Sequence, residues 1–203
     1  LESIQSFDLV GQLLKGQVHL KGSANWSEQT QWNVSIKGKA IQPQFQWPQL
    51  PGKLDFDIVH HASLNKGKLQ ADVLVNELTG KIKGYPISLK ADLNTDGINY
   101  QLKKLDFNSG KNHIKAVAKI ITLDANTDVN SNHNRAQSIN ASFNIDAPDI
   151  GSFVPNAKGQ IKADGNISGD LKQPRILAKL SAHDLNFNQW QLDSLKSELD
   201  FDP

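Results

Sequence analysis

The stretch Lys158-Gly159-Gln160-Ile161-Lys162-Ala163-Asp164-Gly165-Asn166-Ile167-Ser168-Gly169 decides the fold once every second residue is read. Gly159, Ile161, Ala163, Gly165, Ile167 and Gly169 fall on one side, and Lys162, Asp164, Asn166 and Ser168 on the other. That is the period of a β-strand, whose successive side chains point to opposite faces. The apolar side carries all the glycines, so it is shallow. A face of Ile and Gly leaves room above itself that Ile and Leu alone would fill. The expectation is a groove for something apolar.

The same alternation extends in both directions. Downstream, Ile176, Ala178 and Leu180 continue it, followed by Leu185 and Phe187 and then by Leu195, Leu199 and Phe201. At the other end, Ile4 to Leu9 reads as a short strand closed by an Asp8-Leu9-Val10-Gly11 turn, ahead of Gly16, Val18, Leu20 and Gly22 on one face. Trp32, Val34 and Ile36 share the next face. A loop with Pro43, Pro48 and Pro51 interrupts, because proline cannot donate to a ladder, and Leu54, Phe56 and Ile58 restart the pattern. Leu69 to Val75, Leu78 to Ile82 and Ile87 to Leu93 then read as three strands separated by Asn76-Glu77 and Tyr85-Pro86. Asp96-Gly97 is a hairpin signal before Tyr100 and Leu102. Ile114 to Ile120 and Ile139 to Ala147 complete the series, with a short turn expected near Asp149 to Val154.

Connections this short favour antiparallel neighbours, since parallel pairing needs a crossover of a dozen residues or more. The expected fold is all-β: an elongated, mainly antiparallel single sheet of about fifteen strands, on the order of 70 Å long at the usual strand spacing, folded along its length into an apolar groove. An internal echo, Lys15-Gly16-Gln17-Val18 against Lys158-Gly159-Gln160-Ile161, divides it into a first groove module at 1–148 and the start of a second at 149–203, within one continuous fold. Residues 126–135, rich in Asn, Ser and Asp, read as a mobile polar loop.

Composition excludes several function classes. The 203 residues carry a net charge of +1, and acids and bases alternate along the strands, as in Lys53-Leu54-Asp55-Phe56-Asp57. No basic stripe builds up along the chain, so nucleic acid is not an expected partner. Without cysteine there is neither disulfide framework nor thiolate metal site. The chain also lacks methionine, so Leu1 reads as the start of a piece of a longer protein. No run of residues is long and apolar enough to span a membrane as a helix.

The chemical motifs are decoys. His60-His61 are adjacent on a strand and so point to opposite faces, and they, like His19, His113, His133 and His183, read as surface histidines rather than metal ligands. Asp124-Ala125-Asn126-Thr127-Asp128 starts like a calcium loop, but Val129 stands where the loop needs glycine and Arg135 where it needs glutamate. No nucleophile elbow or phosphate cradle occurs, and no catalytic residue, cofactor or metal is assigned.

Gly159 to Gly169, then Pro174-Arg175-Ile176 and Leu185-Asn186-Phe187-Asn188, resemble the repeat of the TamB family of the AsmA-like group. Gly16 to Leu20, Trp26, Gln31 to Val34 and Pro51 to Phe56 resemble the segment that precedes it there. The resemblance implies a β-taco, or repeating β-groove, in the periplasm of a diderm bacterium. It further implies phospholipid passage between inner and outer membranes, an N-terminal inner-membrane anchor and an outer-membrane barrel of the TamA type docked at the C-terminal end, both outside this chain. Periodicity alone favours a closed sandwich or barrel over an open sheet. The glycines on the apolar side, the succession of strands without Greek-key excursions and the family resemblance point to the open groove. Its expected lining is Val18, Leu20, Trp32, Val34, Ile36, Leu54, Phe56, Ile58, Val73, Ile82, Leu89, Tyr100, Ile114, Phe143, Ile161, Ile167, Ile176, Leu180 and Phe187. The reading from a different class is a scaffold or chaperone that pairs its sheet edge with nascent outer-membrane strands. Free edges at both ends of the sheet also favour edge-to-edge self-association.

Overall fold

Val18, Leu20 and Gly22 sit opposite Gly38, Ile36 and Val34 across an antiparallel ladder, so the alternation read from sequence becomes a physical face. In the computed structural model, described for residues 2–27, 29–65, 67–122, 136–154 and 156–203, twelve strands repeat this arrangement. They are β1 (Ser3–Leu13), β2 (Gly16–Asn25), β3 (Thr30–Ile41), β4 (Gly52–Asn65), β5 (Lys68–Ile82), β6 (Tyr85–Thr95), β7 (Tyr100–Ser109), β8 (Asn112–Thr122), β9 (Gln137–Ala147), β10 (Ala157–Asp170), β11 (Pro174–Phe187) and β12 (Trp190–Phe201). Each pairs antiparallel with the strand before it, and the order in the sheet is the order in the chain. Two 3-10 turns, Pro43–Phe45 and Ile150–Ser152, are the other regular elements among the described residues. Twelve strands, not about fifteen, give a sheet roughly 53 Å long. Residues 126–135 and the aborted calcium-loop motif lie outside the described residues.

The excess strands of the sequence reading came from mistaken breaks. Asp8 to Gly11 is not a turn: β1 continues to Leu13, and the chain reverses at Leu14 and Lys15, with φ of 48° and 65°. Asn76-Glu77 does not separate two strands either. It is a bulge inside β5, where the register steps from Val75↔Ala91 to Leu78↔Leu89. Tyr85-Pro86 opens β6, and the turn before it is Lys83-Gly84. A matching bulge in β7 takes Leu102↔Ala118 to Leu105↔Ala116. Bulges bend their strand and sharpen its twist. These two, each within a few residues of mid-strand, bend the centre of the sheet.

The apolar face has no second layer pressed against it. A compact protein of 22.4 kDa exposes about 9,400 Å², whereas this chain exposes 13877 Å². The hydrophobic residues that are buried number seven among those described, five of them alanines: Val18, Ile41, Ala62, Ala91, Ala147, Ala157 and Ala182. A sandwich core would bury its large side chains instead. The closed alternative fails on that observation.

One rim of the sheet, where odd strands end and even strands begin, is stitched by hydrogen bonds between successive connections. Gln42 N–H donates to Leu14 O at 3.0 Å, Lys83 N–H to Pro51 O at 2.7 Å and Gly110 N–H to Pro86 O at 2.8 Å. Asn112 extends the seam. At 1% exposure its side-chain amide donates to Asp149 O at 2.6 Å and to Ser152 Oγ, and its carbonyl accepts Asp149 N–H at 2.9 Å. The expected turn near Asp149 to Val154 is therefore present and anchored, with Phe153 lying 6.2 Å from the Phe107 ring. The sheet runs through the division at 148/149, with β9 and β10 paired from Ala147↔Ile161 to Ser138↔Asp170.

Candidate functional site

The registers carry one apolar row after another from strand to strand. One row reads Leu9–Leu20–Ile36–Ile58–Val75–Ala91–Leu105–Ala116–Phe143–Gly165–Ala178–Leu199. A neighbouring row runs Gly38–Phe56–Leu78–Leu89–Phe107–Ile114–Ile145–Ala163–Leu180. Outside the bulges, no Lys, Arg, Asp or Glu among the described strand residues falls on this face. Burying an unpaired charge in apolar surroundings is costly, and the face is accordingly uncharged and largely apolar from strand to strand, with single polar side chains such as His60 and Ser197 interspersed.

The ladders place the expected lining residues on this face. Val18 is buried, Tyr100 and Phe187 are exposed, and the remaining sixteen are half-buried. Phe187 lies past a bulge at Asp184, with Ala157 and Trp190 as its cross-strand partners. Val73 and Tyr100 also border a cavity of about 230 Å³, together with Ala71, Leu93, Leu102, Ala118 and Ile120 from β5 to β8.

The glycines behave differently from the sequence reading. Three of them oppose a phenylalanine: Gly22 faces Phe7, Gly38 faces Phe56 and Gly165 faces Phe143. A Cβ added at Gly38 would lie 2.3 Å from the Phe56 ring, and one at Gly165 would lie 2.8 Å from Phe143 Cζ. The space over these glycines is filled by a ring lying flat from the next strand, a pairing that shields the bare backbone and restores packing. The face is shallow because its rings lie down, not because it is vacant.

His60 corrects the reading of the histidines as surface residues. It stands on the apolar face between Val34 and Val73, where Trp32 Nε1–H donates to its Nδ1 at 3.3 Å and the two rings meet edge-on. His61 points the other way, to Asn33 at 2.6 Å. No metal cluster occurs among the described residues.

The opposite face is laced with charge. Asp8 receives His19 and Lys21, chiefly the His19 hydrogen bond, and its carboxyl is held below the usual carboxylate range. His113 does the same for Asp106 at 3.0 Å. Lys37–Asp57, Lys162–Asp146 and the two-pronged Arg175–Asp200 contact continue the pattern. Exposed pairs of this kind add little stability. Their effect is to keep one face wet and the other apolar.

Comparison with known proteins assigns the family. The model of the family described as TamB, N-terminal domain, matches residues 1–203. The chain belongs to the TamB family. It is also similar to the translocation and assembly module subunit TamB of Haemophilus influenzae, 25% identical over 181 residues, which is 88% of this chain and 13% of that relative. No solved structure matches. No helix among the described residues is long and apolar enough to cross a membrane.

Several lining residues of this TamB-family chain escaped the sequence reading. Leu9 and Leu13 were lost to the supposed turn at Asp8 to Gly11, and Phe7 to the register shift between Ile4 and Phe7. Leu105 and Phe107 were lost because the β7 bulge shifts the alternation by one position after Leu102. The doublets Asn76-Glu77 and Lys103-Lys104, each flanked by apolar residues in opposite phase, are the signal that marks such bulges.

Proposed function

We propose that this TamB-family chain is a non-enzymatic segment of a periplasmic conduit that shields phospholipid acyl chains between the inner and outer membranes. The observation that carries the reading is the apolar face itself: open, free of charged strand residues outside the bulges and continuous over twelve strands. Keeping an acyl chain of about sixteen carbons out of water is worth roughly 0.8 kcal/mol per methylene, more than 10 kcal/mol in all. A lined trough relieves most of that cost without a specific polar contact, so a lipid moves along it without being trapped. The anchor in the inner membrane and the docking of an outer-membrane barrel of the TamA type belong, on this reading, to other parts of the protein. A second groove module begins at the anchored turn near Asp149.

A photocrosslinking residue at Val34, Ile82 or Ile161 tests the proposal, with outward Lys37 and Lys162 as controls. Lipid adducts at the first three and none at the controls support it; equal labelling overturns it. The alternative reading is strand-edge pairing with nascent outer-membrane proteins. Crosslinks from β12 to polypeptide, rather than to lipid, would support that reading.

A further inference from the structure

His60 breaks an otherwise hydrocarbon row. That row takes one residue from each strand, from Phe7 on β1 to Phe201 on β12, and His60, between Val34 and Val73, carries its only polar side chain. Trp32, whose own partner is Ala62, stands diagonally across from it on β3. An indole N–H can only donate, whereas a neutral imidazole has one acceptor nitrogen and one donor. Because Trp32 Nε1–H donates to His60 Nδ1 at 3.3 Å, the ring proton sits on Nε2. That Nε2–H is bonded to no group among the described residues, and the side chain is half-buried on the open face.

Water satisfies Nε2–H while the trough is empty. A hydrocarbon chain laid over it expels that water and leaves the donor unpaired, which is costly. The acceptor that an acyl chain brings with it is the carbonyl of its own ester. Immediately beyond His60 the row continues through Val73, Leu93 and Leu102, which border the apolar cavity of about 230 Å³ reaching β8. A donor thus stands at one end of a purely hydrocarbon slot that runs across the strands for about 19 Å, four strand spacings.

We infer, on the conduit reading above, that His60 is a station for the ester carbonyl of a glycerolipid, with the attached chain lying across β5 to β8 along the length of the sheet. Trp32 is the positioning residue, since it holds the imidazole in the donor tautomer. One neutral hydrogen bond favours the lipid that makes it by about two- to tenfold, enough to set where an acyl chain begins and too little to stop its passage.

The test uses the 203-residue chain with a photocrosslinker at Leu93 and an equal mixture of diacyl phosphatidylglycerol and its dialkyl ether analogue, which has the same headgroup and chain length but no ester carbonyl. Wild type is expected to capture the ester about two- to tenfold more, His60→Leu to capture both alike, and His60→Gln, which restores a donor, to regain the preference. Nitrogen NMR of the wild type, which needs no substitution, should show the proton on Nε2 and a shift of that signal with the ester lipid alone. Equal capture by wild type, or an ester preference kept in His60→Leu, overturns the station. So does free palmitate displacing the ester lipid at equal concentration, which would make it a carboxylate site. Failure of every form to capture either lipid defeats the conduit reading instead.

Discussion

Gly38→Ala tests whether the apolar face is packed as described. The three atoms nearest an added methyl all belong to the Phe56 ring, at 2.3, 2.4 and 2.8 Å. The ring must lift off the sheet, an overpacking strain of about 1–3 kcal/mol. Against it, replacing glycine by alanine restricts the unfolded chain and stabilises by about 0.4–1 kcal/mol where the backbone permits. The single variant is thus expected to lose about 1 kcal/mol. With Phe56→Ala already in place the strain is gone, and the same methyl should stabilise by a few tenths to 1 kcal/mol. A double-mutant cycle by urea unfolding reads the coupling, which should be about 1–3 kcal/mol. An effect of the same sign and size in both backgrounds would show that the ring does not lie over Gly38 and would refute the paired glycine–aromatic account. The lifted ring also projects into the trough, so lipid capture next to Phe56 should fall in the single variant and recover in the double.

Asn112→Ala removes a buried amide that bonds to Asp149 and Ser152. It is expected to cost about 1–3 kcal/mol and to speed amide exchange at Asp149 to Phe153 before it affects β2 or β3. Ile161→Asp places a carboxylate in the lining and should abolish lipid adducts at Ile161's neighbours on β9 and β11, while circular dichroism stays that of a β-sheet. The Asp106 carboxyl is held below its ordinary value of 3.8, chiefly by the His113 hydrogen bond. The stability it contributes is present above that value and lost as pH falls through the lower folded-state value. Asp106→Asn should accordingly flatten the acid limb of the stability profile below about pH 4 in unfolding titrations at graded pH, and a limb as steep as wild type would contradict this.

Much of the fold is legible because the period of two is simple and the connections are short. Val34, Ile36, Ile58 and Phe143 could be placed on one face from spacing alone, since one register slip would have sent them all to the wrong side. The reading failed where the chain departs from that period. Bulges at Asn76-Glu77 and Lys103-Lys104 change the phase without interrupting the ladder, and a non-glycine reversal at Leu14-Lys15 carries no turn residue to announce it. Glycine was legible as a marker of the apolar face but not of what lies over it, because the Phe7, Phe56 and Phe143 rings come from neighbouring strands. Properties that run across strands depend on register, and register becomes visible only when the strands are laid side by side.

The most direct measurement of the central claim is native mass spectrometry of the chain purified without detergent from a bacterial envelope. The account predicts adducts with the mass of whole phospholipids, lost in Ile161→Asp and kept in Lys162→Gln. A bare chain mass in the wild type, with the sheet intact by circular dichroism, would contradict it.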